Sequence, residues 1–314
     1  MDMPRRPLGR SGLEVSRLSL GSWRTFERIS KDAGLAVMRA ARAAGISFLD
    51  DARYNDETGN APIETGYSEV LFGELFRAAG WPRDETIVCN KLWWEFWPGQ
   101  SAAEELDSSL GRMGLDHIDV IYANVPPGAM PLDQMVHDAA GLISSGRARA
   151  WAIVNWPADQ LLELSHIAAR DGLPQPCCAQ LAYSLVHRSP VEDDDMRAAL
   201  AECGAAVVAS YVLAGGVLSG KYDADPSAGR AAGSLDQPMY ASAAVAARAL
   251  SDLAGRLDTT PATLAVAFAL ANPDVATVLF GATTPAQIEQ NVAALELETR
   301  LTAADRAELA SIGR

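Results

Sequence analysis

Eight short runs rich in β-branched residues recur along the chain with amphipathic stretches between them, and that alternation limits the fold more than any other feature. In order the runs are RLSLG (17–21), SFLDDA (47–52), TIVCNK (86–91), IDVIYANV (118–125), ARAWAIVN (148–155), CCAQLAY (177–183), AAVVASYV (205–212) and VATVLFG (275–281). The intervening stretches, such as LAVMRAARAAG, SEVLFGELFRAAG and AAEELDSSLGRMG, are amphipathic and end at Gly, as helices commonly do. Alternation of this kind makes a parallel sheet covered by helices, and eight repeats predict a closed (β/α)8 TIM barrel. Ahead of the first run, RRPLGRSGLEVS places a Ser-Gly turn between extended flanks, which predicts an N-terminal β-hairpin. A doubly wound Rossmann sheet is the competing arrangement. Its first turn needs Gly-x-Gly-x-x-Gly to approach a pyrophosphate, and LGSWRTFERIS has no such pattern.

The 314 residues, 49% hydrophobic and 21% charged, suit one barrel domain over 1–314, and no linker interrupts them. A net charge of −14 argues against nucleic acid or an anionic membrane surface as partner, because both require clustered Lys and Arg. The opening MDMPRRPLGRSG has no apolar stretch behind its arginines, and nowhere is there a run of ~20 apolar residues, so a cytoplasmic location is expected. Cys89, Cys177, Cys178 and Cys203 lack metal-type spacing and are expected to be free core thiols. The acidic run EDDD (192–195) is expected to open a helix, where acids complement the dipole without an ion, and no metal site is expected.

Asp50, Lys91, Asn124, Asn155 and Gln180 close the second to sixth runs, and in a barrel those ends converge on one rim, where barrel sites are built. A carboxylate beside a partly buried ammonium keeps both ionised and lends positive potential to a neighbouring hydroxyl. Two long connections, NDETGNAPIETG and KYDADPSAGRAAGSLDQPMYAS, follow the second and seventh runs and are expected to overhang that rim. Beside Lys91 stands LWWEFW, and aromatic loop residues at a barrel mouth often form a substrate wall. Trp23, Asn55, Tyr67, Trp93 and Trp94 are the candidate pocket residues.

From RRPLGRSGLEVSRLSLGSW through GISFLDDARYN, IVCNKLWW, SLGRMGLDHIDVIYAN, QLAYSLVHR and LAGGVLSGKY to GATTPAQIEQNVAAL, the chain resembles the aldo-keto reductase superfamily over nearly its whole length. Asn in IDVIYAN is similar to the branch containing Shaker-type potassium channel β-subunits and related bacterial reductases. The resemblance implies hydride transfer between NADPH, with NADH the alternative, and a carbonyl, imine or sugar-like small molecule. It implies a catalytic group at Asp50, Lys91 and Asn124, together with a tyrosine five residues after the aspartate. That position is Asn55, and Tyr54 stands one residue early. Tyr54 reaches the acid position through an unusual turn, or Tyr67 reaches in across the insertion, or there is no tyrosine acid. The first is preferred, because an irregular turn absorbs a one-residue offset that would reverse a side chain in a strand.

The same resemblance implies cofactor contacts. Asn155 and Gln180 would hydrogen-bond the nicotinamide carboxamide, whose donor and acceptor an amide matches. Gly215, Gly216 and Leu218 would pass beside the pyrophosphate, and Thr283, Gln287, Gln290 and Asn291 would hold the adenosine phosphate. Ser210 occupies the slot where the family usually stacks an aromatic residue, with Tyr211 next, and Thr284 stands where a basic residue often clamps the 2′-phosphate. Two other functions fit the altered tyrosine: a nicotinamide-binding sensor or regulatory protein with little turnover, and a cofactor-assisted non-reductive lyase or epimerase.

Overall fold

The computed structural model describes residues 3–225, 227, 231–233 and 235–313. A hairpin of β1 (Arg5–Pro7) and β2 (Glu14–Ser16) precedes eight repeats. These run β3 (Leu18–Gly21), α1 (Lys31–Ala43), β4 (Phe48–Asp50), α2 (Tyr67–Ala78), β5 (Ile87–Leu92), α3 (Ala102–Met113), β6 (Ile118–Ala123) and α4 (Leu132–Ser144). They continue with β7 (Ala148–Val154), α5 (Ala158–Arg170), β8 (Cys178–Ala182), α6 (Ser189–Glu192), α7 (Asp194–Cys203) and β9 (Ala206–Ser210). The last part holds α8 (Lys221–Ala224), α9 (Pro238–Arg256), α10 (Pro261–Ala271), β10 (Val275–Phe280), α11 (Pro285–Arg300) and α12 (Ala303–Ser311). Strands β3 to β10 pair in parallel and close into a barrel, β10 against both β9 and β3.

Side-chain parity explains two cores. Phe48, Ile87, Cys89, Val120, Tyr122, Ala152 and Val208 fill the barrel, whereas their neighbours Leu49, Val88, Ile121, Ile153 and Val207 pack outward beneath the helices. The helices present apolar stripes to that outer face and are closed by local chemistry. Ser101 and Glu104 form a reciprocal capping box on α3, and Gly114 ends it in the left-handed conformation. Asp194 and Asp195 fall in the first turn of α7. All four cysteines are buried and free, with the Cys177 and Cys178 sulfurs 3.9 Å apart.

The hairpin lies across the amino ends of the strands. Leu8, Leu13 and Val15 join the barrel-interior core, and Arg6 donates to the Val275 carbonyl at the start of β10. At Gly9, φ +55, a Cβ would stand 2.1 Å from the Cys177 carbonyl oxygen, so only glycine lets the turn press this closely. With that end sealed, the carboxyl ends carry the loops available for chemistry.

Candidate active site

Inward parity at the carboxyl end leaves Asp50 on β4 and Lys91 on β5 as buried neighbours, with Lys91 Nζ 2.7 Å from Asp50 Oδ2. The same ammonium donates to the Tyr54 hydroxyl at 3.1 Å. Beneath them the Tyr122 ring lies 5.6 Å from Nζ. Burial opposes charge on Lys91, but Asp50 and Tyr54 outweigh it, and the lysine holds its proton more tightly than usual.

The turn after β4 explains how a tyrosine one residue early arrives here. The Tyr54 amide donates to the Ala52 carbonyl at 2.9 Å, which contracts the chain over three residues. Ser68, from the first turn of α2, donates to the Ala52 carbonyl at 2.7 Å, and the Gly66 amide donates to the Tyr54 carbonyl at 2.9 Å. The insertion between them is tied by Asp56, which accepts from Thr58, Asn60 and Ala61; its contacts with Thr58 hold its carboxyl down at about 2. Asn55, in the usual tyrosine position, is exposed and accepts from Thr65 at 2.9 Å. Tyr67 opens α2, packed half-buried against the outer core, and makes no contact with Lys91 among the described residues.

The Tyr54 phenol is not acidified. Burial raises its pKa above the ordinary value, and the Lys91 ammonium only partly offsets this, so the hydroxyl keeps its proton at neutral pH. Trp93 meets the Tyr54 ring edge-on at 6.1 Å. Buried Glu105 of α3 accepts from the Trp93 amide at 2.7 Å and the Trp94 amide at 3.2 Å, which fixes the loop after β5. Trp94 turns inward and donates to the Asn124 carbonyl at 3.0 Å, so it is framework and not wall. The Asn124 side-chain amide donates to the Leu92 carbonyl at 3.0 Å.

Further round the rim, Gln180 is buried with Nε2 lacking a hydrogen-bond partner, and Asp50 Oδ1 is a second buried orphan. Asn155, at φ +55, accepts from the Ala182 amide through Oδ1. Ser210 donates to the Leu181 carbonyl, while Tyr211 leaves the strand line at φ +59 and meets the Tyr240 hydroxyl at 3.0 Å. A cleft of about 570 Å³ opens beside them, between the loops after β3, β9 and β10. Tyr211, Gly215, Gly216, Thr283, Gln287, Gln290 and Asn291 line it, whereas Leu218 is buried in the outer core. Gly215 and Gly216 have φ of +69 and +91, and Thr284 caps α11 by accepting from the Gln287 amide. A larger cleft, about 950 Å³, lies between α5 and α7 and shares only Asn155 with these candidates.

The residues present fit a dinucleotide on three observations of this chain: an unsatisfied buried amide at Gln180 on the neighbouring rim, and, lining or flanking the cleft, a left-handed glycine pair and the amino end of α11. Sequence reasoning missed Lys221, Arg24 and Arg28, which also line it. The lysine stands within LAGGVLSGKY, and the arginines stand in RTFER after the first strand, where their basic character was the available signal. It also missed Asp51, fully buried against the Ser22 hydroxyl and pushed well above the carboxylate range by burial and by Glu69.

A closed (β/α)8 barrel with a hydrogen-bonded Asp-Lys-Tyr group on its rim and a cleft beside it defines a class: a TIM-barrel protein that builds its site from strand-end loops and has no Rossmann domain. The chain belongs to the aldo/keto reductase family, matching it over residues 17–314, and that is a family of oxidoreductases whose members typically use NADPH or NADH. It is 31% identical to a probable voltage-gated potassium channel subunit beta of Oryza sativa subsp. japonica, over 96% of this chain and 93% of that protein. A putative voltage-gated potassium channel subunit beta of Schizosaccharomyces pombe is 32% identical over 96% and 90%. A probable one of Arabidopsis thaliana is 29% identical over 96% and 93%. No helix among the described residues is long and apolar enough to cross a membrane.

Proposed function

We propose that the protein is an NADP(H)-dependent oxidoreductase acting on a carbonyl or imine, with Tyr54 as proton donor. The observation that carries this reading is the hydrogen-bonded series from Asp50 through Lys91 to the Tyr54 hydroxyl. The nicotinamide, when bound, supplies or accepts the hydride. Tyr54, protonated at neutral pH, would donate to the oxygen or nitrogen of the reacting double bond. Lys91 would stabilise the phenolate that results, and Asp50 holds Lys91 charged and in place. Asn124 has no proton to exchange and would orient the reacting group through its amide. Asn155 and Gln180 would bind the carboxamide, and Gly215, Gly216, Thr283, Gln287, Gln290 and Asn291 would line the phosphate and adenosine end.

Trp23, Ile63, Phe96 and Val125 are exposed large apolar residues, each on a loop at the carboxyl end of the barrel. A collar of this kind favours an apolar or aromatic carbonyl over a free sugar. A sensor or regulatory role is the second reading, favoured by the channel-subunit relatives and by Asn124. Stopped-flow fluorescence of bound NADPH, mixed with aldehydes, ketones and imines, separates the two. Rapid oxidation that Tyr54→Phe abolishes supports the reductase; tight binding with no oxidation across the panel supports the sensor.

A further inference from the structure

Among the described residues lining the 570 Å³ cleft the cations are Arg24, Arg28 and Lys221. The first turn of α11 carries no basic residue, so the positive charge in the cleft comes from the two arginines of the loop after β3 and from Lys221 after β9. Both arginines converge on a single oxygen, Oε2 of Glu57, Arg28 at 3.0 Å. Glu57 belongs to the insertion after β4, in the segment tied down by Asp56, so its carboxylate crosses from one loop to the next at the mouth of the cleft. Glu27 lies 3.6 Å from Arg28, but its other oxygen accepts from the Thr25 amide.

Three further features suit these arginines to an incoming anion. Guanidinium forks match phosphate oxygens as well as they match carboxylates. Arg24 sits at φ +52, a left-handed conformation that an L-residue adopts only where its surroundings impose it. The Arg24, Arg28 and Glu57 side chains are 33%, 36% and 40% exposed, so they can exchange partners without opening the core.

We infer that Arg24 and Arg28 bind a phosphate of the cofactor and that Glu57 holds them in the cofactor-free protein, so that loading exchanges a carboxylate for a phosphate. The inference rests on the cofactor reading above. It makes Glu57 a competitor of the cofactor, and this has a definite sign: removing the carboxylate tightens binding.

The test is titration of the whole protein with NADPH and with NADH, followed by quenching of tryptophan fluorescence, for the unmodified chain, Glu57→Gln, Arg24→Gln and Arg28→Gln. Glu57→Gln is expected to lower Kd about two- to fivefold, the scale of a partly exposed ion pair. Each arginine variant is expected to raise Kd about tenfold and flatten its salt dependence. Arg24→Lys and Arg28→Lys keep the charge and recover part of the loss, which separates lost anion binding from lost loop structure. Weakening toward both cofactors assigns the pyrophosphate, and weakening toward NADPH alone assigns the 2′-phosphate. Unchanged or weaker binding by Glu57→Gln overturns the exchange, since a carboxylate that stays paired over bound cofactor is a latch. Failure of the unmodified protein to bind either cofactor removes the oxidoreductase reading and the exchange with it.

Discussion

Replacing Lys91 with methionine tests the site through stability as well as through turnover. Lys91 and Asp50 are only 5% and 4% exposed and stand 2.7 Å apart, so the methionine leaves an uncompensated carboxylate in the barrel, its Oδ1 already an orphan. Breaking a buried pair from one side costs about 3–5 kcal/mol. At roughly 2 °C per kcal/mol for a chain of this size, the melting midpoint should fall by about 6–10 °C. Asp50→Asn alone strands the ammonium and should cost a similar amount. The double variant carries neither charge and should recover most of the loss, with a coupling of at least ~2 kcal/mol in a thermal or urea double-mutant cycle. Turnover should be absent from all three, while NADPH affinity of Lys91→Met stays near that of the parent. Additive losses, or a Lys91→Met midpoint equal to the parent's, would refute a buried ion pair at this position.

Three further outcomes follow from the geometry. Adding Asn55→Tyr to Tyr54→Phe restores the usual spacing of the family, yet turnover should stay lost, because position 55 faces Thr65 and solvent; restored turnover would show that the turn rearranges. Asp51 has a raised folded pKa, so its contribution is most favourable below about pH 4 and is lost as pH rises toward the folded value, by up to ~1.4 kcal/mol per pH unit. Asp51→Asn should therefore flatten stability measured from pH 5 to 8 and exceed the parent at pH 8; parallel curves would show that Asp51 is ionised. Gly216→Ala meets φ +91 and places a methyl 3.0 Å from Lys221, so it should weaken NADPH binding about tenfold or more without changing the Tyr54 environment; unchanged affinity would take this wall out of the cofactor site.

The strands were the legible part of the fold. Parity along IVCNK and FLD puts Asp50 and Lys91 on the inner face of adjacent strands without reference to distant residues, and β-branched runs mark strand ends to within a residue or two. What the hairpin rests on was not legible, because it depends on the Gly9 turn meeting the Cys177 carbonyl from far along the chain. Tyr54 was resolvable only as one of three alternatives. Its placement depends on Ser68 and Gly66 stitching the turn across an insertion, and no local pattern encodes that closure. Even the electrostatics of the phenol needed the structure, since burial wins over the lysine beside it.

The sealed amino end has a steric meaning. With Leu8, Leu13 and Val15 closing its floor and side chains packing its interior, the barrel is approached from its carboxyl end, where the Lys91 group and the cleft between the loops both stand. A ligand entering there meets the loops that Arg24 and Glu57 join, so the ion pair between them bears on access to the cleft.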